Sequence, residues 1–193
     1  MTMHQVMLTA EFVTNYATLD PSATGTGYTL SGGNLTLTGN SAAAGSQFSR
    51  STLSKSSGKW YWEVTVNNLS SSIKIGLCNG SAVYSTDDPI NSANALAYRN
   101  TGLYQYNSTN YGSNSSYAST NVIGVALDVG GQTVTFYKNN VAQSAWSIGA
   151  LIGSGPYYFC MGEGGTSDAV TINFGATALT YTPPAGYNAG LYQ

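Results

Sequence analysis

Apolar and polar residues alternate with a period of two along most of this chain. The clearest run is Gly58 to Val66. Read as a strand, it sends Trp60, Trp62, Val64 and Val66 to one face and Tyr61, Glu63 and Thr65 to the other. Two tryptophans and two valines on one face need a large apolar partner, so a second sheet is implied. The same alternation predicts strands around 35–38, 73–77, 123–129, 132–138, 157–161 and 170–174. Gly130-Gly131 and Asn139-Asn140 are tight-turn dipeptides, because these residues tolerate positive φ. They frame the strand 132–138 as the middle of a meander. No window sustains a helical period. The expected fold is all-β, an antiparallel β-sandwich with few or no helices.

Two regions break the rhythm. Residues 1–20 are weakly patterned and read as an N-terminal arm or added strand before a single domain at 21–193. Residues 79–121 are polar and hold six of the fifteen tyrosines. A structureless connection of that length is improbable inside a compact domain, so short strands are expected at Leu96–Arg99 and Gly102–Tyr106. The extended segment Tyr181 to Tyr187, with Pro183-Pro184, is expected to close the domain across one edge.

Composition changes the picture chiefly through charge. Only 7% of the 193 residues are charged and the formal net charge is −2. Six lysines and arginines, spread along the chain, give no basic patch for nucleic acid and no polybasic membrane anchor. Residues 1–13 read as no secretory signal, and no stretch approaches the length of a membrane helix. A neutral surface rich in Tyr, Asn, Ser and Gly suits contacts with proteins or sugars. Cys78 and Cys160 read as buried thiols; a disulfide would require their strands to be neighbours.

Five segments together resemble the SPRY (B30.2-like) family. Gly58 to Val66 is similar to its Gly-Lys-x-Tyr-Trp-Glu-Val strand, and Ile75-Gly76-Leu77 to its Ile-Gly-Leu strand. Ile123 to Asp128 followed by Val134 to Asn140 resembles its paired hairpin. Pro156 to Phe159 and Ile172 to Gly175 resemble its last two strands. Asn140 replaces the usual glycine of the hairpin turn, and no separate PRY-type segment is recognisable. The resemblance implies a bent sandwich of concanavalin-like jelly-roll type that binds peptides or protein surfaces through loops at one rim. The ending from Asn173 to Tyr187 resembles SPRY modules of phage structural proteins more than those of animal ubiquitin ligases.

Catalytic constellations are poorly supported. The single histidine, His4, has no serine motif near it. Lectin-like glucanases carry alternating acids on one strand, but here Glu63 is followed by Thr65. Asp87-Asp88 with Asn79 and Asn91 could chelate calcium, yet they read better as a solvated turn. Glu163 and Asp168 read as solubilisers of a glycine-rich loop. Glu63 and Asp128 belong to the family pattern and read as structural.

The sequence therefore predicts a non-enzymatic module with no cofactor and no metal. Its expected ligand-binding surface comprises Tyr84, Tyr104, Tyr106, Asn107, Tyr111, Asn114, Tyr117 and Trp146. Aromatic rings would anchor side chains or stack on sugars, and asparagines would supply paired donors and acceptors. Tyr84, Tyr111 and Tyr117 are expected to be exposed; Tyr98, Tyr104 and Tyr106 fall on strands, where they could instead pack. The expected setting is a phage virion, as capsid decoration, head fibre or tail adhesin. The partners would be other virion proteins, or a second copy through the N-terminal arm, with a host-surface glycan or protein as a further candidate. Neither nucleic acid nor membrane insertion is expected. The alternative is an intracellular, cytoplasmic peptide-binding adaptor; a glycan-active enzyme ranks lower.

Overall fold

A computed structural model describes residues 14–40, 47–82, 93–162 and 165–193. Its strands are β1 (Leu19–Thr24), β2 (Tyr28–Ser31), β3 (Thr36–Gly39), β4 (Phe48–Lys55), β5 (Lys59–Asn68), β6 (Lys74–Cys78), β7 (Ala95–Arg99) and β8 (Tyr104–Tyr106). They continue as β9 (Thr109–Tyr111), β10 (Val122–Asp128), β11 (Thr133–Lys138), β12 (Val141–Ala142), β13 (Trp146–Ser147), β14 (Tyr157–Gly162), β15 (Ala169–Asn173) and β16 (Asn188–Ala189). One four-residue helix, α1 (Gly149–Ile152), precedes β14.

The strands form two sheets. One is ordered β1-β4-β14-β6-β7-β8-β9, the other β12-β11-β10-β5-β15-β3-β2, with β13 on β11 and β16 on β5. All ladders are antiparallel except β16 on β5. The inner faces meet as alternation requires. Trp62, Val64 and Val66 from β5, Ile123, Val125 and Leu127 from β10, and Phe136 from β11 pack against Tyr157, Phe159 and Met161 from β14 and Ile75 and Leu77 from β6. Trp62 is fully buried, with Phe159 at 6.1 Å and Phe174 at 6.5 Å between ring centroids. Removing its ring from water contributes about 4–6 kcal/mol, at ~25 cal/mol per Å² over 150–250 Å². Trp60, at the end of the same face, is half-buried. It lies edge-on to Tyr192, with the Lys55 ammonium 3.6 Å from its ring centroid.

Several local features differ from the sequence reading. The two-residue turn at Asn139-Asn140 forms as expected, with φ of 47° and 68°. At Gly130-Gly131 the register Asp128↔Thr133 leaves a four-residue loop instead, and its left-handed residue is Gln132, with φ 49°. Gly131 serves close approach: a Cβ there would lie 2.9 Å from an Asp128 carboxylate oxygen. β4 has no apolar alternation, because small hydroxyl residues fill its interior positions. Ser51 is wholly buried, donating to the Leu53 carbonyl at 2.7 Å and accepting from the Phe159 N–H at 3.1 Å.

The boundary drawn at residue 20 falls inside β1. Residues 15–17 bond to the C-terminal segment, through Asn15 N–H to the Gln193 carbonyl and Ala17 N–H to the Leu191 carbonyl. That C-terminal segment does more than cross an edge. It covers the outer face of β5, and β16 takes the place beside Trp60 and Tyr61 that β15 leaves open. Glu63 is therefore buried, accepting from the Thr180 N–H (2.7 Å), the Tyr181 N–H (2.8 Å) and the Tyr61 hydroxyl (3.2 Å).

Cys78 and Cys160 lie on neighbouring strands, β6 and β14, as buried thiols with no disulfide between them. Cys78 is opposite Tyr158 and Cys160 opposite Gly76, so the two are diagonal rather than paired. They share a small apolar cluster with Phe48, Ala82 and Ala95 on the outer face of their sheet. No helix of the described residues is long and apolar enough to cross a membrane.

Candidate functional site

The aromatic segment folds onto one flank of the sandwich, where both sheets end. β8 and β9 form a hairpin whose two turn residues, Asn107 and Ser108, have φ of 46° and 62°. Both central residues being left-handed marks a type I′ turn, whose twist matches the strands it joins. Register then places Tyr111 opposite Tyr104, and Tyr104 opposite Tyr98, on one face. From the other sheet, β13 contributes Trp146, which stacks flat on Tyr104 at 4.7 Å and 5°. Tyr111 leans on Trp146 at 6.0 Å. It stays 41% exposed because β9 is the last strand of its sheet.

The segment after β9 then straps the two sheets together. The Ser144 N–H donates to Asn114 Oδ1 at 3.0 Å, and the Ser115 N–H to Gln143 Oε1 at 2.8 Å. Lys138 Nζ donates to the Ser116 carbonyl at 2.6 Å. On the facing edge, Val141 of β12 is 64% exposed.

Not every expected residue reaches this surface. Tyr117, expected to be exposed, is buried, and its hydroxyl donates to the carbonyls of Ile73 (2.7 Å) and Tyr98 (3.1 Å). Tyr104 is also buried, its hydroxyl donating to the Ser144 carbonyl. Trp146 is buried as well, with its ring against those of Tyr104 and Tyr111. The two tyrosine rings pack because each phenolic hydroxyl finds a backbone carbonyl. Tyr106 is half-buried and donates to the Leu151 carbonyl at 2.9 Å. Asn107 is exposed in the hairpin turn, and Tyr84 lies outside the described residues. The structure thus brings Tyr104, Tyr111, Asn114 and Trp146 together and adds Val141, Gln143 and Ser144. The signal for those three was the Asn139-Asn140 turn, which requires a return strand at the sheet edge.

The electrostatics are those of a neutral surface over a dry core. Burial pushes the Tyr98 phenol up to about 12. Burial, with Tyr98 nearby, raises Tyr104 and Tyr117 further, Arg99 opposing it slightly at Tyr117. All three stay protonated at neutral pH and act as donors, not bases.

The described carboxylates are engaged elsewhere. Asp128 pairs with Lys59 at 2.8 Å and accepts from the Gly131 N–H at 2.9 Å. Asp168 corrects the sequence reading: it is no loop solubiliser but 3% exposed. It accepts from the N–H groups of Ser70, Ser71 (3.2 Å), Ser72 (3.1 Å) and Gly165 (2.7 Å), and from the Ser70 hydroxyl (2.8 Å). Asp87, Asp88, Asn91, His4 and Glu163 lie outside the described residues. Asn79 is engaged with the Ser81 N–H and the Ile152 carbonyl. Among the described residues no three His, Cys, Asp or Glu side chains gather as a metal site would need.

Comparison with known proteins agrees with the fold. Three solved structures are similar. One titled "Stonustoxin structure" shares 17% identity at a TM-score of 0.64, covering 82% of this chain and 27% of that one. The SPRY domain of human HERC1 shares 16% at 0.66, covering 80% and 96%. The TRIM65 PSpry domain shares 13% at 0.65, covering 82% and 92%. The chain thus spans about a quarter of the stonustoxin chain and nearly all of the two isolated domains. No curated protein sequence matches it. The SPRY domain family model matches residues 59–177, from β5 to just beyond β15, which is more than half of the chain. The chain belongs to the SPRY domain family, whose members are in general non-catalytic modules of protein–protein interaction.

Proposed function

We propose that this chain is a non-enzymatic binding module that engages a protein through the Tyr111–Val141 flank. The observation that carries this reading is the placement of exposed apolar groups. Among the described residues, Tyr111 and Val141 are the exposed large hydrophobic side chains, and both sit at sheet edges on one flank. β9 there is exposed at all three residues and pairs only with β8, so its outer backbone edge is open to a partner strand. Tyr111 offers rigid area at low entropic cost, and Trp146 behind it keeps the ring in place. Lys138 at this flank is committed to the Ser116 carbonyl.

The setting we propose is a phage virion, with this chain as a capsid decoration, head fibre or tail adhesin. The low charge and the C-terminal segment's likeness to phage SPRY modules support that setting. Mass spectrometry of purified particles should find the chain as a stoichiometric component; particles lacking it would remove the setting but not the binding surface. The surface itself is tested by capture from particle or host lysate with the wild-type chain and with Tyr111→Ala. The substitution, on an exposed ring, should leave stability within about 0.5 kcal/mol. It should weaken capture of the enriched protein at least tenfold. Equal capture by both chains would refute the assignment.

A further inference from the structure

The outer face of the nine-stranded sheet holds a second cleft, on elements that take no part in the Tyr111–Val141 flank. Register builds its floor. Thr36 on β3 is opposite Thr171 on β15, which is opposite Thr65 on β5, so three threonines lie side by side across three strands. Asn173 and Glu63 pair in the next row. Segment 174–182 passes over this floor and is fastened at two points. Asn173 Nδ2 donates to the Ala178 carbonyl at 2.9 Å, while its Oδ1 accepts from the Gly175 N–H at 2.9 Å. Glu63 holds the N–H groups of Thr180 and Tyr181. A cavity of about 260 Å³ remains between floor and strap. A more open cleft of about 560 Å³ adjoins it across Ala176, Thr177 and Thr180, with Tyr16 on its wall.

The lining decides what can enter. Neither cavity is lined by Lys, Arg or His, and the inner one has Glu63 in its wall, so an anion is repelled. A metal ion would find one carboxylate that already holds three donors. The two oxygens of Glu63 offer about four lone-pair sites, so one remains for a further donor. The hydroxyls of Thr65, Thr177 and Thr180, all lining the inner cavity, have no hydrogen-bond partner among the described residues. Hydroxyls donate and accept alike, so the complementary ligand is neutral and dense in groups of the same kind. An apolar ligand would shut these hydroxyls off from water with no partner, which opposes its binding. The inner volume lies below the ~300–1,000 Å³ of sites for drug-sized ligands, which limits it to about one sugar ring.

We infer that this cleft is a carbohydrate site, with one neutral sugar ring in the inner cavity and the outer cleft open to the next unit. The test is an NMR titration of the isotope-labelled full chain, separately with the methyl glycosides of glucose, galactose, mannose and N-acetylglucosamine, into the millimolar range. At least one glycoside should give saturable amide shifts at Thr65, Thr177 and Thr180 and leave Tyr111 and Val141 unmoved. Thr177→Val, at an exposed position, keeps the fold and should weaken that binding about tenfold, as should Thr65→Val. The unperturbed remainder of each variant's amide spectrum verifies folding. No saturable shift with any of the four, shifts confined to the flank, or wild-type affinity in Thr177→Val would each overturn the assignment.

Discussion

Asp168 gives the sharpest test of how this fold is held. Its carboxylate gathers four backbone N–H groups and one hydroxyl, tying the turn after β5 to the start of β15. Asp168→Asn preserves size but replaces one acceptor oxygen with a donor. If the amide oxygen stays with Ser70 and Ser71, the N–H groups of Ser72 and Gly165 face an NH₂. If it flips, those of Ser70 and Ser71 lose their acceptor. Either way two part-buried donors lose their acceptor; at no more than about 1–3 kcal/mol each, the loss is at most about 2–6 kcal/mol. Set against the ~5–15 kcal/mol of a typical domain, that is a large fraction. Urea unfolding at neutral pH should therefore show a strongly lowered midpoint with an unchanged m-value. Burial acts to raise the Asp168 pKa, but the N–H groups of Ser70, Gly165 and Ser71 and the Ser70 hydroxyl outweigh it, and the net shift is downward. A lowered folded-state pKa contributes stability that is complete above the ordinary carboxylate value and fades as pH falls through the folded value. The gap between wild type and Asp168→Asn should narrow over that acidic window. A difference below about 1 kcal/mol at neutral pH, or a gap that widens in acid, would refute the reasoning.

Two further outcomes follow from burial. Tyr98, Tyr104 and Tyr117 have raised pKa values, so their unfolded forms lose protons first; stability should fall as pH rises above about 10, and through the Tyr98 value of about 12. Ultraviolet titration should show these phenols ionising only together with loss of near-ultraviolet circular dichroism; free titration in the folded chain would contradict their placement. Cys78 and Cys160 occupy diagonal positions on adjacent strands, where Cα atoms lie about 7–8 Å apart, beyond the ~4.4–6.8 Å of disulfides. Mass spectrometry under mild oxidation should find both thiols unbridged and reactive with alkylating reagents only on unfolding, and an intramolecular bridge would show the register to be wrong.

How much of this was legible in the sequence depends on which atoms did the burying. Strands with apolar inner faces announced themselves: β5, β6, β10, β11, β14 and β15 all sit on the expected alternation, within a residue or two. β4 did not, because Ser49 and Ser51 occupy buried positions through hydroxyl hydrogen bonds, which hydropathy reads as loop. The tyrosines failed for a related reason. In a Ser- and Asn-rich segment Tyr117 looks like surface, yet one phenolic oxygen aimed at two carbonyls makes it core. Tyr111 stays exposed because it lies on a strand with no outer neighbour, a property of sheet order and not of local sequence. Asp168 was missed because its partners are four backbone N–H groups, which no side-chain pattern records.

The same logic sets the extent of the domain. The family match begins at Lys59 and ends at Thr177, but β5 could not sit where it does with those residues alone. Its outer face carries Tyr61 and Glu63, one large ring and one carboxylate. A carboxylate buried on a sheet face must find donors, and neither β10 nor β15 supplies one. Tyr61, on β5 itself, gives one hydroxyl, and the two backbone donors come from Thr180 and Tyr181, beyond the match. The chain that delivers them is held by β16 against β5, and by Leu191 and Gln193 against Ala17 and Asn15. Tyr192 completes the closure by packing edge-on against Trp60 and Tyr16, with Lys55 donating to its carbonyl. Residues before and after the family segment are thus joined by the burial of a single strand. The cleft over Thr65 and Thr171 exists only because that closing segment arches across the sheet to reach Glu63.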